Sequence, residues 1–224
     1  MNKQVAENPA TKNRDAFTPL VAVASLMVAS YLTANLMAVK LISVFGLTLF
    51  DAGTLTFPLS YMLGDVLTEV WGFQTAKKVI WLSFFCNAFL VFFTALGLLL
   101  PSPPSMEEIS RAYALLFGYV PRIVLASLVG FLGGELSNAY VMVRIKALTK
   151  GRLLWLRTIG SSMVGYVFDT VLFVLLAFAG TVSAKELLVM IGAQYAMKLC
   201  IEALAGTPLA YAAIRYLKRR VGLS

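Results

Sequence analysis

Six long apolar segments dominate this chain, at approximately 17–39, 54–71, 79–100, 120–143, 158–180 and 187–214. A helix needs about 20 mostly apolar residues to cross the hydrocarbon core of a bilayer. The connections between segments are short, so little chain remains for an extramembrane domain. Of the 224 residues, 59% are hydrophobic and only 13% are charged, a balance foreign to soluble domains. The expectation is an all-α polytopic membrane protein with six transmembrane helices over residues 17–216. A short N-terminal tail (1–16) precedes it and a basic tail (217–224) follows.

The net charge of +8 would suggest nucleic acid in a soluble protein. Here the bases track alternate loops instead, so no nucleic-acid partner is expected. Lys3, Lys12 and Arg14 precede the first segment, and Lys77 and Lys78 follow the second. Arg144, Lys146, Lys150 and Arg152 lie between the fourth and fifth, and Arg215, Lys218, Arg219 and Arg220 end the chain. The opposite loops carry Glu107, Glu108 and Glu186 against only Arg111 and Lys185. Lysine and arginine favour the cytoplasmic side, which places both termini there and agrees with an even number of crossings. The first segment is too long for a signal-peptide core and reads as a retained helix. Cys86 and Cys200 each sit alone in an apolar segment, as buried, inert thiols would.

Ionisable side chains inside these segments mark where function is expected, because a charge in hydrocarbon must pair or line a polar cavity. Lys40, Asp65, Glu69, Arg122, Glu135, Asp169, Lys198 and Glu202 lie in or against them. Asp65 and Glu69 are four apart and share a helix face, where two carboxylates repel unless donors, cations or a proton lie between them. Arg157, Ser161, Gly165 and Asp169 form a polar and small stripe at steps of four. Lys198 and Glu202 repeat that spacing, before Gly206 and Pro208, which should kink the sixth segment. Lys40 and Arg122 lie near segment ends, where long side chains can snorkel. Glu135 is placed near the basic end of the fourth segment, answering the loop that follows. Gly130 and Gly134 read as a packing pair. The third segment carries no charge and is the candidate lipid-facing helix.

Histidine is absent, which excludes Ser–His hydrolysis and a histidine zinc motif, and no P-loop occurs. No metal-ligand cluster or cofactor motif stands out. An enzyme reading would rest on carboxylates alone, and none is expected.

Several of these residues resemble the signature of a known family. The run Phe57-Pro58-Leu59-Ser60-Tyr61 leads into Gly64-Asp65-Val66-Leu67-Thr68-Glu69-Val70-Trp71-Gly72. Together with Asn35, Lys40, Arg122, Ser127, Leu154-Trp155-Leu156-Arg157, Ser161, Ser162, Asp169, Lys198, Glu202 and Thr207-Pro208, it resembles the queuosine precursor transporters. That family was first grouped as vitamin uptake transporters. Trp71 stands where the resemblance leads one to expect tyrosine, and Tyr166 where it leads one to expect glutamine.

The resemblance implies a bundle like the substrate-binding subunits of energy-coupling-factor importers. It also implies uptake of 7-deazaguanine bases (7-cyano-7-deazaguanine, 7-aminomethyl-7-deazaguanine or queuine) across a bacterial inner membrane for tRNA modification. The candidate substrate-binding residues are Asn35, Lys40, Asp65, Glu69, Arg122, Arg157, Ser161, Asp169, Lys198 and Glu202. Rival readings are a subunit that needs a separate ATPase, a vitamin as substrate, and a membrane enzyme. Homodimerisation and a coupling ion such as the proton stay open.

Overall fold

Apolar runs of this length fold as helices because hydrocarbon offers no partner to an unpaired backbone N–H or C=O. The computed structural model describes residues 9–44, 47–118, 121–180 and 182–221. Its helices are α1 (Pro9–Met37), α2 (Phe57–Trp71), α3 (Phe73–Leu99), α4 (Glu107–Gly118), α5 (Pro121–Leu148), α6 (Leu154–Phe178), α7 (Ala184–Ile201) and α8 (Thr207–Val221). Helix α1 begins at Pro9, so much of the expected N-terminal tail is helical; residues 1–8 lie outside the described part. The expected basic tail likewise continues α8 as far as Val221.

Among the described residues five stretches are long and apolar enough to cross a membrane: Thr18–Met37, Phe73–Leu99, Val124–Leu148, Leu154–Phe178 and Ala184–Val221. The second expected segment falls short of that test. Helix α2 has 15 residues, 13 of them buried, and is wrapped by protein rather than by lipid. It spans about 22 Å at 1.5 Å per residue. Gly72 turns the chain from α2 into α3 with φ of +84°, a backbone conformation that side-chain-bearing residues resist.

The connection between α1 and α2 is an antiparallel hairpin. Strand β1 (Leu41–Val44) pairs with β2 (Leu47–Asp51), with an irregularity between Ile42 and Ser43. Gly46 lies outside the described residues. A short 3₁₀ turn (Ala52–Leu55) then leads into α2, capped by the Asp51 carboxylate, which accepts from the Thr54 N–H.

The bundle is apolar outside, and its apolar core encloses a set of buried polar groups. On α3, Phe85, Phe89 and Phe92 are each at least 60% exposed, the lipid-facing character expected of it. By contrast Asp65, Glu135, Asn138, Ser162 and Glu202 have no exposed surface at all. The cysteines correct one expectation: Cys86 is half-buried and Cys200 exposed, so both look outward from their helices.

Helices α5 and α6 cross at glycines. A Cβ on Gly165 would lie 2.9 Å from the Gly134 carbonyl oxygen, and one on Gly130 would lie 2.9 Å from that of Asp169. The packing role expected of Gly130 and Gly134 is thus met.

The expected kink in the last segment takes a definite form. Between α7 and α8 the chain widens into a π-helical turn, Glu202–Gly206. Pro208 has no N–H to offer the turn before it, and π turns of this kind concentrate at functional positions.

Candidate functional site

Steps of four residues along α2 place Phe57, Tyr61, Asp65 and Glu69 on one face, about 6 Å apart along the axis. The buried polar groups sort into three layers along that line.

The layer nearest the hairpin surrounds a cavity lined by Asn35, Asp51, Thr54, Phe57, Ser127, Asp169, Phe173, Gln194 and Lys198. Lys198 ion-pairs with Asp169 and donates to the Thr170 hydroxyl at 3.2 Å. Its ammonium also lies 4.9 Å from the centre of the Phe57 ring. Gln194 Nε2 donates to Asp51 at 2.8 Å, and the Gln194 carbonyl oxygen has no partner. Burial pushes the Asp51 carboxyl up, while the nearby Lys198 charge pulls it down. The Ser127 hydroxyl donates to the side-chain oxygen of Asn35.

The cavity volume is about 20 Å³, room for about one water molecule. Small-molecule sites run to roughly 300 Å³ and more, so this layer must open to take a base. Asn35 also borders a second, largely apolar chamber of about 220 Å³, walled by Asn87, Leu90, Thr94, Phe117 and Val124.

The middle layer holds Asp65, Glu135, Asn138, Tyr166 and Glu202. Asn138 Nδ2 donates to Asp65 at 2.8 Å, and the Tyr166 hydroxyl donates to Glu202 at 3.1 Å. Glu135 is not the end-of-helix charge expected. It is fully buried against Gly64, where an added Cβ would lie 2.6 Å from its Oε2.

The third layer lies at the basic end. Glu69 meets Lys218 at 2.7 Å, Lys146 at 3.1 Å and Arg157 at 3.2 Å. Glu69→Gln should cost about 3–5 kcal/mol, because Arg157, with its side chain only 3% exposed, loses its counter-charge. Lys146→Ala or Lys218→Ala should each cost under about 1 kcal/mol, since those side chains are 41% and 35% exposed. Thermal unfolding in detergent separates the two cases.

The ten residues singled out in the sequence are thus divided. Asn35, Asp169 and Lys198 line the cavity. Asp65 and Glu202 belong to the middle layer, and Glu69 and Arg157 to the basic end. Ser161 is buried and donates to the Thr158 carbonyl at 3.1 Å. Lys40 is exposed just beyond α1, outside the cavity lining. Arg122 is exposed and donates to the carbonyls of Leu176 and Ala179 at 2.7 and 2.5 Å, capping the end of α6. Sequence reasoning missed Asp51 and Gln194. Gln194, Lys198 and Glu202 fall at steps of four, a stripe that was there to be read. Nothing local marks Asp51, which the hairpin folds back onto α7.

The comparisons agree with this membrane architecture. Residues 51–213 match a family described as "Putative vitamin uptake transporter". The chain is also 35% identical over 181 residues to a protein of Bacillus subtilis (strain 168) named "Probable queuosine precursor transporter", covering 80% of this chain and 78% of that one. No solved structure gives a significant match. The matched region takes in most of the three polar layers, from Asp51 to Thr207, but neither Asn35 of the cavity nor Lys218 of the basic end. The chain belongs to the vitamin uptake transporter family, and it is a multi-pass membrane transporter rather than an enzyme.

Proposed function

We propose that this transporter imports 7-deazaguanine bases, precursors of queuosine, across a bacterial inner membrane. The observation that carries the reading is the cavity layer, where Asp169, Lys198, Asn35 and Gln194 converge beside two phenylalanines. A guanine-like edge presents N1–H and an exocyclic amine side by side, and one carboxylate accepts both. Lys198 and the amides supply donors for the ring carbonyl. Phe57 and Phe173 offer flat apolar walls to the ring. The relative from Bacillus subtilis, by its name, handles queuosine precursors.

Six crossings follow if α2 traverses inside the bundle as the short one, with α7, the π turn and α8 as the last. The lysine and arginine distribution then puts both termini in the cytoplasm and the hairpin outside. On this orientation the 220 Å³ chamber opens on the outer side of the cavity, and Asn35, shared by both, stands at the passage. The six-helix arrangement is the one proposed from the resemblance to energy-coupling-factor substrate subunits. Ala34 on α1 and Ala38 just beyond it, small residues that could have offered a separate ATPase a docking patch, are buried, which supports a transporter that acts alone. The solitary transporter is therefore the simpler reading.

Thermal shift of the purified chain tests the substrate class. A 7-deazaguanine base at 100 times its Kd should stabilise the protein by about 2.7 kcal/mol. Stabilisation by thiamine or riboflavin but not by 7-cyano-7-deazaguanine would move the substrate to another class. Uptake by the chain alone in liposomes separates the solitary transporter from a subunit.

A further inference from the structure

The middle layer has too many acceptors for its donors. Asp65, Glu135 and Glu202 come from α2, α5 and the π turn, and none has exposed surface. No lysine or arginine forms an ion pair with any of them among the described residues. The buried bases on either side are committed elsewhere, Lys198 to Asp169 and Arg157 to Glu69. The donors that do reach the layer are the Asn138 amide to Asp65 and the hydroxyls of Tyr166 and Thr207 to Glu202.

Glu135 receives nothing: both its oxygens are buried without a partner. The second Asp65 oxygen and the Asn138 carbonyl oxygen are likewise unpartnered acceptors, and Asn138 is aimed into the layer by its bond to Asp65. A bare carboxylate here would be an uncompensated buried charge, and three together would repel. A carboxylic acid removes the charge and turns an acceptor into a donor, which is what these orphaned oxygens lack. The proton is the cation that a lone buried carboxyl can hold without any further ligand.

The charged and titratable groups facing this layer are Tyr61 and Glu69 on α2, Tyr166 and Asp169 on α6, and Tyr31 on α1. Beyond them Lys198 stays bound to Asp169.

We propose that Asp65, Glu135 and Glu202 form the proton-coupling site of this transporter, with Glu135 the group that gains and loses the proton. On α2 Asp65 lies about two turns from Phe57 of the cavity, and Glu202 opens the π turn four residues after Lys198 of α7. A base that pulls Lys198 or Asp169 shifts that helix and the proximity of the carboxyls together. In each cycle a carboxylate takes up one proton on the cavity side and gives it up on the basic side. One base and one proton cross in the same direction, and no other reactant is needed.

The uptake half of the test rests on the substrate proposed above, and the spectroscopic half does not. Infrared spectra of the full chain in detergent at neutral pH should show a protonated-carboxyl carbonyl band. Glu135→Gln should remove about one carboxyl's share of it, and Glu202→Gln serves as a second variant should the first misfold. Absence of the band in wild type, or its persistence unchanged in both variants, overturns the proposal. In proteoliposomes, an outside pH one unit below the inside should concentrate 7-cyano-7-deazaguanine roughly tenfold for one proton per base. Glu135→Gln should still exchange labelled for unlabelled base but should no longer concentrate it. Concentration by that variant, or wild-type accumulation indifferent to the gradient, also overturns it. Liposomes that take up no base while the band behaves as expected would support the proton site and sink the substrate assignment instead.

Discussion

Asp169→Asn is expected to abolish uptake of a 7-deazaguanine base and to destabilise the protein by about 3–5 kcal/mol. Both effects have one cause. Lys198 is 4% exposed, and its ammonium pairs with Asp169. Asparagine leaves that charge buried and unpaired, and breaking a buried pair from one side is far costlier than removing both partners. Loss of uptake by Asp169→Asn alone would therefore not separate a ligand contact from a structural one. The double variant Asp169→Leu with Lys198→Met makes the separation. Replacing both partners by apolar side chains is often neutral or stabilising, so the double variant should recover most of the lost thermal stability. It should still fail to bind or carry the base, because the carboxylate and the ammonium are gone. A stable double variant that transports at the wild-type rate would show that the pair is architectural and that the base is read elsewhere.

The sequence marked these side chains individually and could not group them. Asp169 and Lys198 stood out because each interrupts an apolar helix. That they meet depends on how α6 and α7 slide against each other, which neither helix encodes alone. Asp65 and Glu69 looked like a pair because they share a face. Four residues are about 6 Å of helix, and that is enough to send Glu69 to Arg157, Lys146 and Lys218 while Asp65 stays with Asn138. Lys146 and Lys218 counted as loop and tail charges, and they also close the basic end of the bundle. Glu135 misled in the other direction. A carboxylate a few turns from a basic loop suggests an answer to that loop, and only the fold shows it pressed on Gly64. Tyr166, one of the two departures from what the resemblance leads one to expect, donates to Glu202 of the middle layer. What was legible was the inside-out chemistry; its division into layers is a property of packing.

Gly134→Ala should be the most damaging methyl group that can be added at the crossing of α5 and α6. A Cβ there would run into the Tyr61 hydroxyl, lie 2.7 Å from the Asp169 Cβ and lie 2.9 Å from the Gly165 carbonyl oxygen. Two of those neighbours are fixed to the backbone of α6 and cannot swing away, so α5 and α6 would have to separate. Overpacking of a tight interior costs about 1–3 kcal/mol and sometimes more, and the upper end is expected here. The separation would also displace Asp169 from Lys198, so base binding should fall together with the unfolding temperature. Two companions calibrate the result. Gly133→Ala meets only the flexible tip of Leu172 at 3.1 Å and should be mild. Gly192→Ala meets nothing within 4 Å and should gain up to about 1 kcal/mol from helix propensity. Thermal unfolding of the three variants in one detergent checks the order. A Gly134→Ala protein as stable as the Gly192→Ala protein would mean that α5 and α6 do not cross at this glycine, and the placement of Asp169 against Lys198 would fail with it.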